Sequence, residues 1–346
     1  MPQRPKVGGI DAALRAALER SFRERFGKLA QIINIHRRPC SFHSSYRLEE
    51  LTVELADGTR VDAVWKDLSP GTLLKEARRI KPRFLYDPRR EIAVYQHILG
   101  PLQLRAATYY GALVDAARRR YWLFLENVPG QHLWQFGEFE TWLCAARWLG
   151  HMHGRCSTFA SDDVRLRAAP LLRYDLAFYL RWADRARRYV AVSPAFTAEQ
   201  AKSVRRVSRR YKTVAARLAS LPSTFIHGEF YPSNILISQV DGQVLVRPVD
   251  WEMAAMGPAC IDLAALTAGR WTDAQKVELA GAYYQTRQTE TSVSWVDRQS
   301  FEEQLDYCRL HLAVQWLGWS RQWSPPREHV QDWVAEAVSA AERIGL

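Results

Sequence analysis

Two stretches of alternating apolar and polar residues, Tyr46–Leu55 and Arg60–Leu68, mark the first third of the chain, and Asp57-Gly58 stands between them. A period of two with such a turn pair predicts a hairpin whose one face is buried. Ahead of it, Ile10, Leu14, Leu18, Phe22 and Phe26 recur every four residues, the stripe of an amphipathic helix that needs an apolar surface to cover. Asp87 as N-cap and Pro88 at the first helical position predict another helix start, followed by Ile92, Val94, Tyr95 and Ile98. The run Tyr121–Leu125 reads as a buried strand that enters a turn at Glu126-Asn127-Val128-Pro129-Gly130. Beyond it the period turns helical, as in Phe139, Trp142, Leu143, Ala146, Leu149 and Met152. A second hairpin is predicted from Ile235–Ser238 and Val244–Pro248 around Asp241-Gly242.

Candidate chemistry gathers at the open end of that second hairpin. Asn234 precedes its first strand and Asp250 follows its second, so folding brings an amide oxygen and a carboxylate together. Hard oxygens side by side suit magnesium shared with phosphates. Glu229 lies five residues before Asn234, placed to accept a proton from an attacking hydroxyl. An acid, an asparagine five positions on, and a metal-binding aspartate after a hairpin is the layout of a kinase catalytic loop. Buried polar residues near a turn also commonly just tie backbone groups together. His227 and Asp262 are expected to do that, bracing the loops without touching substrate.

The run His227-Gly228-Glu229 through Asn234, then Val249-Asp250-Trp251-Glu252, resembles the aminoglycoside phosphotransferase and choline kinase-like family. Gly257-Pro258 and Asp262-Leu263-Ala264 resemble the family's continuation after the metal aspartate. One departure stands out: Glu229 occupies the position where the family typically has aspartate. The resemblance implies an α+β, two-lobed protein-kinase-like fold, with a small β-rich lobe over about residues 1–125 and a larger, mostly helical lobe over 126–346. It implies catalysis by Glu229, Asn234 and Asp250, with Asn234 and Asp250 as metal ligands. It further implies that Lys66, at the end of a strand, grips the nucleotide phosphates in an ion pair with Glu91. A lysine at a strand end is often merely solvated, and Glu76 is a rival for Glu91. The Glu126 carbonyl and Val128 amide correspond to the hinge groups that meet adenine. A kinase glycine-rich loop is missing, because Arg37 to Ser45 contains no glycine. Ser44 and Ser45 are the candidate phosphate donors in its place.

The function implied is transfer of phosphate from ATP, with magnesium, to a hydroxyl of a small molecule. An antibiotic or related natural product leads, as resistance or self-resistance; the alternatives are a metabolic kinase for an amino alcohol or sugar, and a catalytically inactive pseudokinase. The sequence does not choose between ATP and GTP, nor does it give the acceptor or the oligomeric state.

Composition narrows the setting. None of the apolar runs among the 346 residues approaches the roughly 20 that a membrane helix needs. The five cysteines form no C-x-x-C pair, which points to reduced thiols in a cytoplasm and no zinc site. His151 and His153 lie on the Phe139–Met152 helix and read as structural. The net charge of +11 is uneven: residues 161–220 hold 14 Lys and Arg against 5 Asp and Glu, while 271–346 hold 11 acids against 7 bases. A basic wall repels a polycationic acceptor and an acidic one attracts it, so charge does not select the acceptor. The basic runs accompany no nucleic-acid-binding pattern, and solvated helix faces account for them. Trp316 and Trp319 form an i, i+3 pair expected in a core, with Trp323 further on.

Overall fold

The computed structural model of the chain describes residues 8–27, 31–40, 45–157, 163–290, 296–319 and 331–346. They form two compact units. Unit 1 comprises Met1–Arg79 and Asp87–Pro129, and unit 2 comprises Ile80–Tyr86 and Gly130–Leu346.

Unit 1 is built on a five-stranded antiparallel sheet in the order β1-β2-β3-β5-β4, with β1 at Ile32–Pro39, β2 at Leu48–Leu55, β3 at Arg60–Asp67, β4 at Tyr109–Asp115 and β5 at Arg120–Glu126. The expected hairpin joins β2 to β3, with Gly58 at φ +85° and the Asp57 carboxylate accepting from Thr59 N at 2.9 Å. Every second residue of β2 is buried, as the alternation requires. Leu51, Val53 and Leu55 of β2, with Ala63 and Trp65 of β3 and Phe124 of β5, pack against helix α1 (Gly8–Phe26) through its Leu14, Leu18 and Phe22. Burying a Leu or Phe of this kind contributes about 1.5–3 kcal/mol. Phe26, at the end of the stripe, is 44% exposed, with its ring on Phe22 and Tyr110.

Two short helices complete the first third of the chain, α2 (Lys75–Ile80) and α3 (Arg90–Val94). α3 begins at Arg90, not at Pro88. The Asp87 side chain closes a turn on Arg89 N at 2.9 Å, and the helix starts only after it. It then continues as a π-turn over Tyr95–Leu99.

Unit 2 contains α4 (Phe139–Ser157), α5 (Val164–Ala168), α6 (Leu176–Val192), α7 (Ala198–Ser220), α8 (Cys260–Leu266), α9 (Asp273–Glu290), α10 (Arg298–Gly318) and α11 (Trp333–Arg343). Two small sheets position the loops of interest. In the first, β9 (Ile235–Val240) pairs with β10 (Gln243–Pro248) and with β6 (Gln131–His132). In the second, β11 (Ala255–Pro258) lies between β7 (Leu172–Arg173) and β8 (Ser223–Ile226). Asp241 and Gly242 both have positive φ, 50° and 75°, the turn geometry that suits a right-twisted hairpin.

Among the described residues, no helix is long and apolar enough to cross a membrane. All five cysteines are free; Cys40, Cys156, Cys260 and Cys308 are buried and Cys144 is partly exposed. Strand-rich unit 1 and helix-rich unit 2 give the mixed α+β make-up expected from the sequence.

Candidate active site

The loop after β8 is fixed from behind by one carboxylate. Asp262 is fully buried; its Oδ2 accepts from His227 N at 2.7 Å and its Oδ1 from Gly228 N at 2.8 Å. His153 Nε2 donates to the same Oδ2 at 3.2 Å, so its Nδ1 accepts from Tyr283 OH at 3.0 Å, and Tyr283 OH accepts from Arg287 Nη1 at 2.8 Å. Burial holds the His153 imidazole below its ordinary pKa despite the neighbouring Asp262, which keeps it neutral. Gly228 has φ +84°, and a Cβ there would lie 2.3 Å from the Met253 carbonyl oxygen. Only glycine fits that approach.

His227 links two loops. Its Nδ1 accepts from Glu229 N at 3.3 Å, so Nε2 carries the proton and donates to Val249 O at 3.0 Å. The bond joins this loop to the chain just ahead of Asp250. Both histidine and aspartate therefore brace the loops, as expected.

From Phe225 to Tyr231 every residue is buried except Glu229, which is half-buried. Phe230 stacks on Trp148 with ring centroids 5.8 Å apart, and Tyr231 meets Trp316 at 5.3 Å. These anchors directly follow Glu229, whose carbonyl accepts from Tyr231 N at 2.7 Å and Asn234 Nδ2 at 3.0 Å. The loop closes on itself, with the backbone of Glu229 held on both sides.

Asn234 and Asp250 lie at the open end of the β9–β10 hairpin. Ile235 pairs with Pro248, and Val249 N donates to Asn234 O at 2.9 Å. Asp250 adopts a left-handed conformation, φ 63° and ψ 63°, which costs about 1–3 kcal/mol and persists only where the surroundings impose it. Trp251 imposes it: fully buried, it stacks on Phe225 at 5.7 Å, lies 4.4 Å from the His227 ring, and donates Nε1–H to Pro248 O at 3.3 Å. The donor set fits magnesium. Asn234 spends its Nδ2 on the Glu229 carbonyl, which leaves its Oδ1 and the Asp250 carboxylate as hard oxygens that could hold such an ion. Among the described residues, no three His, Cys, Asp or Glu could hold a metal by themselves.

In unit 1, Lys66 lies on the central strand β3, opposite Leu48 of β2 and Leu123 of β5. Its Nζ is 2.6 Å from Glu91 Oε2, both side chains nearly fully buried, and the Tyr46 ring centroid is 5.9 Å away. The partner is Glu91, and Glu76 is not. Glu126 ends β5; its side chain accepts from Thr108 N and Oγ1 at 3.0 and 2.7 Å, and Val128 is buried two residues on. Asn127 N donates to Asp62 O at 3.1 Å, which ties this turn to β3. Gly130, in unit 2, would place a Cβ 2.4 Å from Ile237 O, so the chain entering β6 needs glycine. Ser45 O accepts from Leu74 N at 3.1 Å, and Ser44 lies outside the described residues, as does Trp323.

A cavity of about 360 Å³ in unit 2, lined by residues of α8 to α11 such as Arg298, Asp306 and Arg343, includes none of Glu229, Asn234 and Asp250. One ion pair escaped sequence reasoning: Lys81 Nζ lies 2.6 Å from Glu252 Oε2. Only the position of Glu252, two residues after Asp250, hinted at it.

A β-rich unit carrying a buried lysine–glutamate pair, with a helical unit carrying the acid–asparagine–aspartate loop, is the kinase-like architecture. Solved structures share the fold. A microcompartment-associated aminopropanol kinase is 14% identical with a TM-score of 0.57, over 89% of this chain and 90% of its own. The GDP complex of aminoglycoside 2'-phosphotransferase-IIIa is 14% identical with a TM-score of 0.56, over 95% and 98%. An ethanolamine kinase of Plasmodium vivax is 10% identical with a TM-score of 0.55, over 93% and 85%. At such identities the likeness is one of fold. No curated protein sequence matches this chain. The sequence itself matches the profile of the phosphotransferase enzyme family over residues 48–296, and the chain belongs to that family.

Proposed function

We propose that the protein transfers the γ-phosphoryl group of a nucleoside triphosphate, ATP or GTP, to a hydroxyl of a small molecule. The acceptor oxygen bonds to phosphorus, the bond to the β-phosphate oxygen breaks, and Glu229 takes the hydroxyl proton. The observation that carries this reading is the closed loop from His227 to Asn234, with Glu229 half-buried between buried Gly228 and Phe230. Glutamate reaches about a bond length further than aspartate, and the pinned backbone limits where that extra reach can go. The intrinsic acidities of the two differ little, about 4.3 against 3.9.

Asn234 and Asp250 would hold magnesium, which neutralises phosphate charge when bound. Lys66, oriented by Glu91, grips phosphate oxygens, and the backbone at Glu126 and Val128 meets the base. Ser45, with Ser44, is the proposed phosphate-loop donor. The acceptor is a hydroxylated natural product such as an antibiotic, which would make the protein a resistance or self-resistance enzyme. The named neighbours act on both antibiotics and amino alcohols, so an amino alcohol is the second candidate.

The test is phosphate transfer to a panel containing both acceptor classes, with Asp250→Asn beside the parent. Asparagine tolerates the left-handed backbone. The variant should therefore keep its melting temperature within about 2 °C and lose transfer. Near-normal turnover in the variant would remove Asp250 from the metal site. An inactive parent across the panel would favour a pseudokinase.

A further inference from the structure

Residues 80–86 interrupt unit 1 in the sequence yet pack with unit 2. An ion pair and an aromatic cluster help to hold them there. Lys81 Nζ meets Glu252 Oε2 at 2.6 Å, with the side chains only 8% and 10% exposed. Phe84 packs edge-on against Phe178 and Trp182 of α6, at 6.1 and 5.6 Å, with the Arg181 guanidinium 5.4 Å from its ring centre.

A buried ion pair adds little net stability, because desolvating both charges consumes most of their attraction. What such a pair does supply is orientation. Glu252 sits in the 3₁₀ turn Trp251–Met253 directly after Asp250, whose left-handed backbone must be imposed from outside. Trp251 imposes it from the side of Phe225 and His227. Glu252 offers a second fixed point on the same turn, where the Lys81 ammonium meets it.

We propose that Lys81 is a positioning residue, which acts through Glu252 to fix the turn that aims the Asp250 carboxylate. Residues 80–86 thereby form a strap on the metal-binding loop. The inference rests on the reading of Asp250 as a magnesium ligand.

The experiment compares Lys81→Met, Glu252→Gln and the double variant with the parent, using intact protein. Each single variant should raise the magnesium concentration for half-maximal turnover about tenfold, the scale for losing a group that orients a metal ligand. The nucleotide KM should stay within about twofold of the parent, and the double variant should be no worse than the poorer single one. Amide hydrogen exchange of residues 249–254 should quicken in both single variants. A lower melting temperature with an unchanged magnesium requirement would show a merely structural pair and overturn the proposal. A raised nucleotide KM in Lys81→Met but not in Glu252→Gln would also overturn it, since Lys81 would then bind phosphate itself. If the parent transfers phosphate to no acceptor, the functional reading fails. The strap then stands on faster exchange at 249–254 or falls on unchanged exchange.

Discussion

Replacing Asp262 by asparagine tests how the loop before Glu229 is held. The carboxylate accepts three bonds, two at Oδ2 from His227 N and His153 Nε2 and one at Oδ1 from Gly228 N. Asparagine keeps one oxygen. Its least costly placement leaves that oxygen at the Oδ2 position and sets the NH₂ against Gly228 N–H. A buried donor left unsatisfied costs about 1–3 kcal/mol. The two surviving bonds also weaken, because they lose the charge that roughly doubles their strength. Relief of the desolvation penalty of a buried carboxylate offsets part of this. The net loss is about 2–4 kcal/mol, and a domain of this size loses about 2–4 °C per kcal/mol, so the melting temperature should fall by about 4–16 °C. Calorimetry measures the shift. Transfer should fall as well, because a displacement of about 1 Å at the base can cost a hundredfold in rate. A shift under about 2 °C with normal turnover would refute the view that Asp262 holds the loop.

Three further outcomes are expected. Lys66→Met should destabilise the protein by about 3–5 kcal/mol, because Glu91 stays buried without this cation. Lys66→Met/Glu91→Gln should recover much of that stability while nucleotide affinity stays low, and recovery of both would exclude Lys66 from phosphate binding. Glu229→Gln should slow transfer by about 10²–10⁴-fold while Glu229→Asp retains activity, and a Gln variant as active as the parent would rule out the base role. Burial lowers the His311 pKa to about 3, from an ordinary value near 6.5, so between those values the unfolded chain binds more protons. Stability is therefore fully present above about pH 6.5 and falls as pH drops toward 3, with buried His153 adding in the same direction. His311→Asn keeps an acceptor for Tyr211 OH, which lies 2.8 Å from His311 Nδ1, and should flatten the melting-temperature profile between pH 7 and 5. An unaltered slope there would show that His311 does not contribute.

Local patterns explain what was legible in the sequence. Alternation around Asp57-Gly58 and Asp241-Gly242 yields both hairpins because turn chemistry and burial act within a few residues. The second hairpin then places Asn234 beside Asp250 without any long-range knowledge. The stripe on α1 is likewise visible, although Phe26 shows that its last member need not be buried. The start of α3 is less so, since an aspartate followed by proline can close a turn before the helix instead of capping it. Long-range polar pairs are hidden. Nothing in the residues around Lys81 marks Glu252 as its partner, 171 positions away. The link from Arg287 through Tyr283 and His153 to Asp262 spans three helices, and none of their apolar stripes encodes it.

The distribution of thiols has a practical consequence. Burial pushes the Cys156 and Cys260 thiols up to about 12 and also holds Cys308 well above its ordinary value, so these have almost no thiolate at neutral pH, and Cys40 is enclosed. Cys144 on α4 is the partly exposed thiol of the five. A maleimide dye or spin label added to the unmodified protein should therefore attach at one site. Spectroscopic probes can be installed on the natural chain, with no cysteine removed or introduced.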